Sequence, residues 1–268
     1  MNILVTLDRG YLRPLSVMLK SLLISDRKNI FDVYVINTSL EKEDFSFLEK
    51  KLKSQRIIFH DIKISDSMLE NAPVTDRYPK EMYYRIFAAR FLPDCVDKVI
   101  YLDPDLIVLK PLNELYCTEL GDNYFAAASH VGTLLTKVNN IRLNTEEDGP
   151  YINSGVMLMN ITLLRKEQDF SRVLSYIDKR KNLLILPDQD VISALYSDRI
   201  IPLDPAVYNM TERMLSGPEI TSKGISMEWV AKNTVIVHFL GRNKPWKEKY
   251  SGSLGFVWHC IENCNIEY

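Results

Sequence analysis

The stretch from Lys98 to Leu109, KVIYLDPDLIVL, limits what this chain can fold into more than any other: two carboxylates one residue apart, with apolar runs on both sides. Val99 to Leu102 predict a buried β-strand, because a β-branched and aromatic run bounded by a proline break fits a strand covered on both faces. Asp103 and Asp105 then stand where the strand ends. Two full negative charges so close to a buried strand cost several kcal/mol unless a positive group sits between them. A divalent metal carrying a phosphate meets that need. In an extended segment residues two apart point to the same face, so the spacing predicts one cation bound by both side chains, with Pro104 stiffening the link. Asp and Pro also make turns in any protein, and an isolated Asp-x-Asp does not separate a turn from a metal site. The flanking strand favours the metal, since open α/β sheets bind ligands outside the carboxyl ends of their strands.

Strands and helices alternate on the way to this stretch. Asn2 to Leu7 predict a strand ending at Asp8-Arg9-Gly10-Tyr11, and Pro14 to Ile24 show helical spacing through Leu15, Met18, Leu19 and Leu22. Phe31 to Asn37 read as a second strand, Lys42 to Lys53 as an amphipathic helix and Arg56 to His60 as a third strand. The alternation implies a mostly parallel, doubly wound, Rossmann-like α/β sheet, which puts Asp8 on the same sheet edge as Asp103. An acid after a strand either binds a base or ribose or caps a helix, and Asp8 suits both roles. Residues 61 to 80 are loop-rich, with Pro73 and Pro79, and Tyr83 to Arg90 predict a helix beside the Asp103 strand. Most helix arginines are surface cations, but this packing brings Arg85 towards a carboxylate or phosphate.

Beyond the carboxylate pair, Asn113 to Tyr116 form a turn or short helix, Tyr124 to Ser129 a strand, and 131 to 150 a surface excursion ending in the acids Glu146, Glu147 and Asp148. Tyr151 to Asn160 predict a strand whose first half holds Asn153, Ser154 and Gly155; a glycine within a strand marks a close approach by ligand or backbone. Ile161 to Arg180 carry helical spacing. Asp188, Gln189 and Asp190 cluster at the start of another helix, where the dipole favours acids even without a function. Val235 to Val237 form a last strand running straight into HFLGRNKPW, His238 to Trp246. That segment offers an imidazole, a close backbone approach at Gly241 and a phosphate cation at Lys244. Taken singly, His238 fits a satisfied core histidine.

With 268 residues, 46% hydrophobic and 25% charged, the chain can bury one large α/β domain or two small ones. A net charge of −2 supplies no general basic face for a phosphate backbone, so nucleic acid is not an expected partner. No apolar run reaches bilayer length, and the first residues lack a basic n-region and cleavage site, which predicts a cytoplasmic protein. Cys95, Cys117, Cys260 and Cys264 have no metal or disulfide spacing and are expected as free buried thiols.

Four motifs in order, Asp103-Pro-Asp105, Tyr151-x-Asn153-Ser-Gly155, Pro187-Asp-Gln-Asp190 and His238-x-x-Gly241-x-x-Lys244-Pro-Trp246, resemble glycosyltransferase family eight, which includes glycogenin and bacterial lipopolysaccharide galactosyltransferases and glucosyltransferases. The resemblance covers nearly the whole chain. It implies one GT-A domain over 1–268, with 1–129 mainly nucleotide-binding and 130–268 mainly on the donor-sugar and acceptor side. It also implies a UDP-hexose donor carrying galactose or glucose, a glycan or glycolipid acceptor, Mn2+ with Mg2+ as an alternative, and retention at the anomeric carbon. In the resemblance Asp103, Asp105 and His238 are the metal ligands. Asp8 and Tyr11 meet the uridine, Gly241 and Lys244 clamp the diphosphate, and Arg85 and Asn153 contact the donor sugar. Asp188 and Gln189 surround the reacting hexose. Many family members have asparagine where this chain has Gly10, which leaves one ribose contact unassigned. Cell-envelope glycan synthesis would place the enzyme in the cytoplasm, with contact at the inner membrane face left open, as is its oligomeric state.

Breaking the anomeric carbon–phosphate bond builds negative charge on the diphosphate, where a metal and Lys244 would stabilise it. Two carboxylates and an imidazole suit manganese better than calcium, which prefers oxygen alone. Retention leaves two routes open: an adduct on Asp188, or attack by the acceptor on the face the diphosphate leaves. A nucleotide-sugar hydrolase or nucleotidyltransferase would use the same binding groups, and a non-catalytic sugar-nucleotide sensor would keep them without needing Asp188 and Gln189. The acceptor segments, roughly 130 to 150 and 205 to 230, carry no motif that names the acceptor.

Overall fold

The computed structural model describes residues 1–65, 80–130, 133–145, 149–216 and 225–265. Among these, seven strands form one sheet in the order β3-β2-β1-β4-β7-β6-β8. They are β1 (Asn2–Thr6), β2 (Phe31–Asn37), β3 (Ile57–Lys63), β4 (Lys98–Leu102), β6 (Phe125–Ala128), β7 (Val156–Asn160) and β8 (Ile200–Leu203). β1 to β4 run parallel and β6 runs parallel to β8, while β7 is antiparallel to both of its neighbours.

Alternation along the central strands explains why both sheet faces are covered. Ile3, Val5, Ile100 and Leu102 join the core under the helix Leu12–Ser25, whereas Leu4, Val99 and Tyr101 join the opposite core with Val191 and Ile192 of the helix Pro187–Tyr196. A period of two with both faces apolar is the pattern of a sandwiched strand. A second, two-stranded sheet pairs β5 (Leu106–Val108) antiparallel with β9 (Ile236–His238), Leu106 opposite His238. Its own apolar cluster holds Ile107, Val237, Phe239 and the fully buried Trp258. Trp258 belongs to the last described helix, Gly255–Asn263, which Glu262 ties to Arg13 at 2.7 Å.

Several expectations are corrected. Pro104 and Asp105 form a turn, so the two carboxylates do not converge through an extended segment; the turn joins β4 to β5 and leaves its geometry to neighbouring chain. The expected strand 151–160 is regular only from Val156, with 151–155 held instead by single bonds such as Asn153 N–H to Ala128 O at 2.7 Å. The expected excursion 131–150 contains a helix, Thr133–Leu143, exposing Leu135, Val138 and Ile141; Glu146, Glu147 and Asp148 lie outside the described residues. Helical spacing over 161–180 resolves into Ile161–Glu167 and Phe170–Arg180, because the Asp169 carboxylate accepts from Arg172 N–H at 3.0 Å and starts a new helix. The predicted helix 83–90 is a run of short pieces from Glu81 to Phe91. All four cysteines are exposed rather than buried: they fall in loops, at helix ends and on the outer side of the last helix. Most of the loop-rich stretch 61–80, including Pro73 and Pro79, lies outside the described residues.

One buried charge pins the helix Pro187–Tyr196. Asp190, fully buried, accepts from Tyr151 Oη at 2.6 Å, from Arg142 Nη1 and Nη2 at 3.0 and 2.7 Å, and from the Ile185 and Leu186 N–H groups at 2.6 and 3.1 Å. Replacing it leaves Arg142 uncompensated and several donors unpaired. Asp190→Ala is expected to cost about 3 kcal/mol or more in urea unfolding; a loss below about 1 kcal/mol would mark the pair as an ordinary surface ion pair.

Candidate active site

The antiparallel pairing of β4 with β7 sets Leu102 opposite Val156, so the exit of one strand meets the entrance of the other. Asp103 N–H bonds Gly155 O across the junction at 2.8 Å. On its other side the Asp-Pro-Asp turn meets β9, where Phe239 N–H bonds Asp105 O at 3.1 Å. These two backbone contacts gather Asp103, Asp105 and His238 from two distant parts of the chain, with one ligand atom from each lying within 4.8 Å of the others. His238 Nε2 lies 3.1 Å from Asp105 Oδ1 and 3.7 Å from Asp103 Oδ2. Ligand atoms held at roughly 2.2 Å from one ion are at most about 4.4 Å apart, so the three need only tighten slightly to hold a single cation. Two carboxylates and an imidazole form a donor set that fits a first-row divalent metal.

Gly155 makes this convergence sterically feasible. A Cβ there would lie 2.2 Å from His238 Cε1 and 2.6 Å from Asp103 Oδ2. Lys244 Nζ completes the cluster, bonding Asp105 Oδ2 and the Phe239 carbonyl. Burial alone would raise the Asp105 carboxyl, but Lys244 and His238 outweigh it and hold Asp105 well below the ordinary carboxylate range.

Arg85 meets the cluster through Asp103. Its Nη1 is 3.0 Å from both Asp103 Oδ1 and Asp188 Oδ2, and its guanidinium stacks 4.4 Å from the Tyr101 ring centroid. The Tyr101 hydroxyl donates to Asp103 Oδ1 at 2.8 Å. Asp188 also accepts from Ser154 Oγ at 2.8 Å, and burial pushes its carboxyl up against the pull of Arg85. Behind it, Asn153 Nδ2 donates to Gln189 Oε1 at 3.2 Å.

A cavity of about 710 Å³ joins these groups. Asp8, Tyr11, Arg85, Asp103, Asp105, Asp188, His238, Gly241 and Lys244 all line it. Asn153 and Gln189 stand one layer behind, away from the lining. Asp8 caps the turn Arg9–Tyr11 through Gly10 N–H at 2.6 Å and also lines the cavity. Tyr11 meets Trp246 edge-to-face at 6.2 Å, and burial, then Asp105 and Asp103, push its phenol up to about 12, so it stays neutral. Gly241 has φ +86°, the left-handed region that glycine enters freely.

Sequence reasoning missed Tyr101, Ser154, Arg242, Lys247 and Asn209. Arg242 and Lys247 line the cavity mouth and share the short segment of Lys244, a signal available in the sequence. Asn209 bonds His238 Nδ1 through its Oδ1 at 2.9 Å and sits in no recognisable motif.

The fold has GT-A architecture. The crystal structure of galactosyltransferase LgtC with donor and acceptor sugar analogs matches it with a TM-score of 0.82 at 20% identity, covering 98% of this chain and 95% of that one. A family model, glycosyl transferase family 8, matches residues 2–250, and the chain belongs to that family. Similar relatives include a lipopolysaccharide 1,2-glucosyltransferase of Escherichia coli, 25% identical over 92% of this chain and 73% of its own length. General stress protein A of Bacillus subtilis (strain 168) is 27% identical over 98% of this chain and 96% of its own.

Gly155→Ala is expected to weaken binding of a divalent cation at Asp103, Asp105 and His238 about tenfold or more in titration calorimetry, because its methyl group pushes His238 and Asp103 apart. Unchanged affinity would show that the pair can separate without consequence.

Proposed function

We propose that this glycosyltransferase moves galactose or glucose from a UDP-sugar to a glycan or glycolipid acceptor with retention, using manganese, with magnesium as an alternative. The observation that carries this reading is the convergence of Asp103, Asp105 and His238 in a cavity that Asp8, Tyr11, Arg85 and Asp188 also line. A neutral, half-buried Tyr11 offers its ring to a base, and Asp8 accepts from a base or ribose N–H or O–H. A bound divalent ion would stabilise charge developing on the leaving diphosphate. Lys244, Arg242 and Lys247 supply fixed positive charge to the same group, where preorganised charge is most effective.

Asp188 orients the hexose. Its Oδ2 is already committed to Arg85 and Ser154, which weakens it as a nucleophile. Gln189 is an amide and stands behind the wall. We therefore favour acceptor attack on the face the diphosphate leaves, with the diphosphate oxygen taking the acceptor proton. The name of the Escherichia coli relative supports a glucose donor and a lipopolysaccharide acceptor. No described helix is long and apolar enough to cross a membrane. We place the enzyme in the cytoplasm, with the exposed Leu135, Val138 and Ile141 available to a glycolipid acceptor or a membrane surface.

Calorimetry should show UDP-galactose or UDP-glucose binding far more tightly than guanosine or cytidine sugars, only with metal present, and not at all to Asp105→Ala or His238→Ala. Equal binding across bases, or normal donor binding by His238→Ala, would overturn the assignment. Proton NMR of the first product from an α-linked donor should show an α-linkage. Gln189→Ala should lower kcat more than donor affinity, because the residue supports the wall around the reacting centre. With a 2-fluoro donor analogue, mass spectrometry should find no sugar on Asp188; an adduct there would establish the two-step route.

A further inference from the structure

The hydrogen bonds behind the metal cluster form a chain whose donors all run one way. Gly155 N–H, a backbone donor that cannot reverse, points at Asn153 Oδ1 at 3.2 Å and so fixes that amide. Asn209 Nδ2 must then donate to the same oxygen, at 2.9 Å, which leaves Asn209 Oδ1 facing His238 Nδ1 at 2.9 Å as an acceptor. His238 therefore carries a proton on Nδ1 and turns Nε2 to Asp103 and Asp105. In the other direction Asn153 Nδ2 donates to Gln189 Oε1 at 3.2 Å, Gln189 lies beside Tyr151, and Tyr151 Oη donates to the buried Asp190 carboxylate at 2.6 Å. A carboxylate accepts only, so the chain is fixed at that end as well.

We infer that Asn209 is a positioning residue that holds His238 with Nε2 turned to Asp103 and Asp105, where a metal would take it, and couples it to the amide pair Asn153–Gln189. This rests on the function proposed above. Asn209 is itself firmly held: it is fully buried, and its backbone is pinned separately, N–H to Pro205 O at 3.1 Å and C=O to His130 Nε2 at 2.6 Å. Met210, next in the chain, bridges β9 at Val237, which holds the Asn209 side chain level with His238. Carboxylates and carbonyls that accept the second nitrogen of a ligating histidine set its tautomer and its basicity, and losing them commonly costs ten- to a hundredfold in metal affinity.

Two substitutions separate the arms. Asn209→Asp keeps an acceptor for His238 Nδ1 but cannot donate to Asn153; Asn209→Leu loses both contacts. Manganese affinity in the presence of UDP, read by electron paramagnetic resonance, should stay within about threefold of wild type for Asn209→Asp and fall about tenfold or more for Asn209→Leu. Turnover should fall in both, with the Asp variant losing kcat while its donor KM changes little. Wild-type manganese affinity in Asn209→Leu would overturn the inference. If the Leu variant does not fold, the Asp variant decides: loss of manganese affinity, or unchanged kcat, overturns it. A metal-free arm distinguishes failure of this inference from failure of the functional reading. Nitrogen-15 NMR of histidine-labelled protein should show His238 protonated on Nδ1 in the wild type, whether or not manganese binds, and an unprotonated Nδ1 would sink the inference.

Discussion

The structure is organised around negative charge concentrated at the carboxyl end of β4. Asp103, Asp105 and Asp188 share one partly enclosed cavity, and carboxylates cannot stay ionised there without compensation. Arg85 bridges two of them, while Lys244 and His238 hold the third. The compensation is local rather than global: a chain of net charge −2 assembles three cationic or imidazole side chains at one point. Each comes from a different element, so the charge balance also ties the helical run 81–91 and the segment after β9 to the sheet edge.

Backbone pairing supplies the precision. Long charged side chains alone would place the site loosely, but Asp103 is fixed by its N–H bond to Gly155 and Asp105 by its carbonyl bond to Phe239. The small β5–β9 sheet brings His238 beside a residue 133 positions earlier, and apolar packing of Ile107 and Val237 around Trp258 stabilises that closure. The polar centre is therefore positioned by an apolar cluster whose residues do not enter the cavity.

Much of this was legible in the sequence because the relevant signals are short and local. The apolar run before Asp103, the glycine after Asn153, and the histidine, glycine and lysine of the last motif all announce themselves within about ten residues. Sequence reasoning failed where structure depends on distant partners. Asn209 has no local pattern, since its role comes from the Met210–Val237 bridge that places it against His238. Asp188 and Asp190 look alike at a helix start, yet one faces the cavity and the other is consumed by Arg142 and Tyr151. The cysteines misled because a lone small apolar residue sets no period, and burial was inferred from residue type alone. The helix Thr133–Leu143 was overlooked because its outward face is the apolar one, which reverses the usual pattern.

The register of β4 against β7 acts as the site's ruler, and it makes different parts of the chain unequal in their tolerance of length change. A strand shifted by one residue turns every side chain to the opposite face, so an insertion between Leu102 and Leu106, or between Asn153 and Val156, would break the meeting of Asp103 with Gly155. Between Ser129 and Tyr151, which are joined at the base by the Ser129 Oγ bond to Tyr151 O, added length carries an entropic cost that grows only slowly with the number of residues. The same scaffold can therefore diversify what it recognises beyond the donor by lengthening or shortening one segment, while the geometry around the carboxylates stays unchanged.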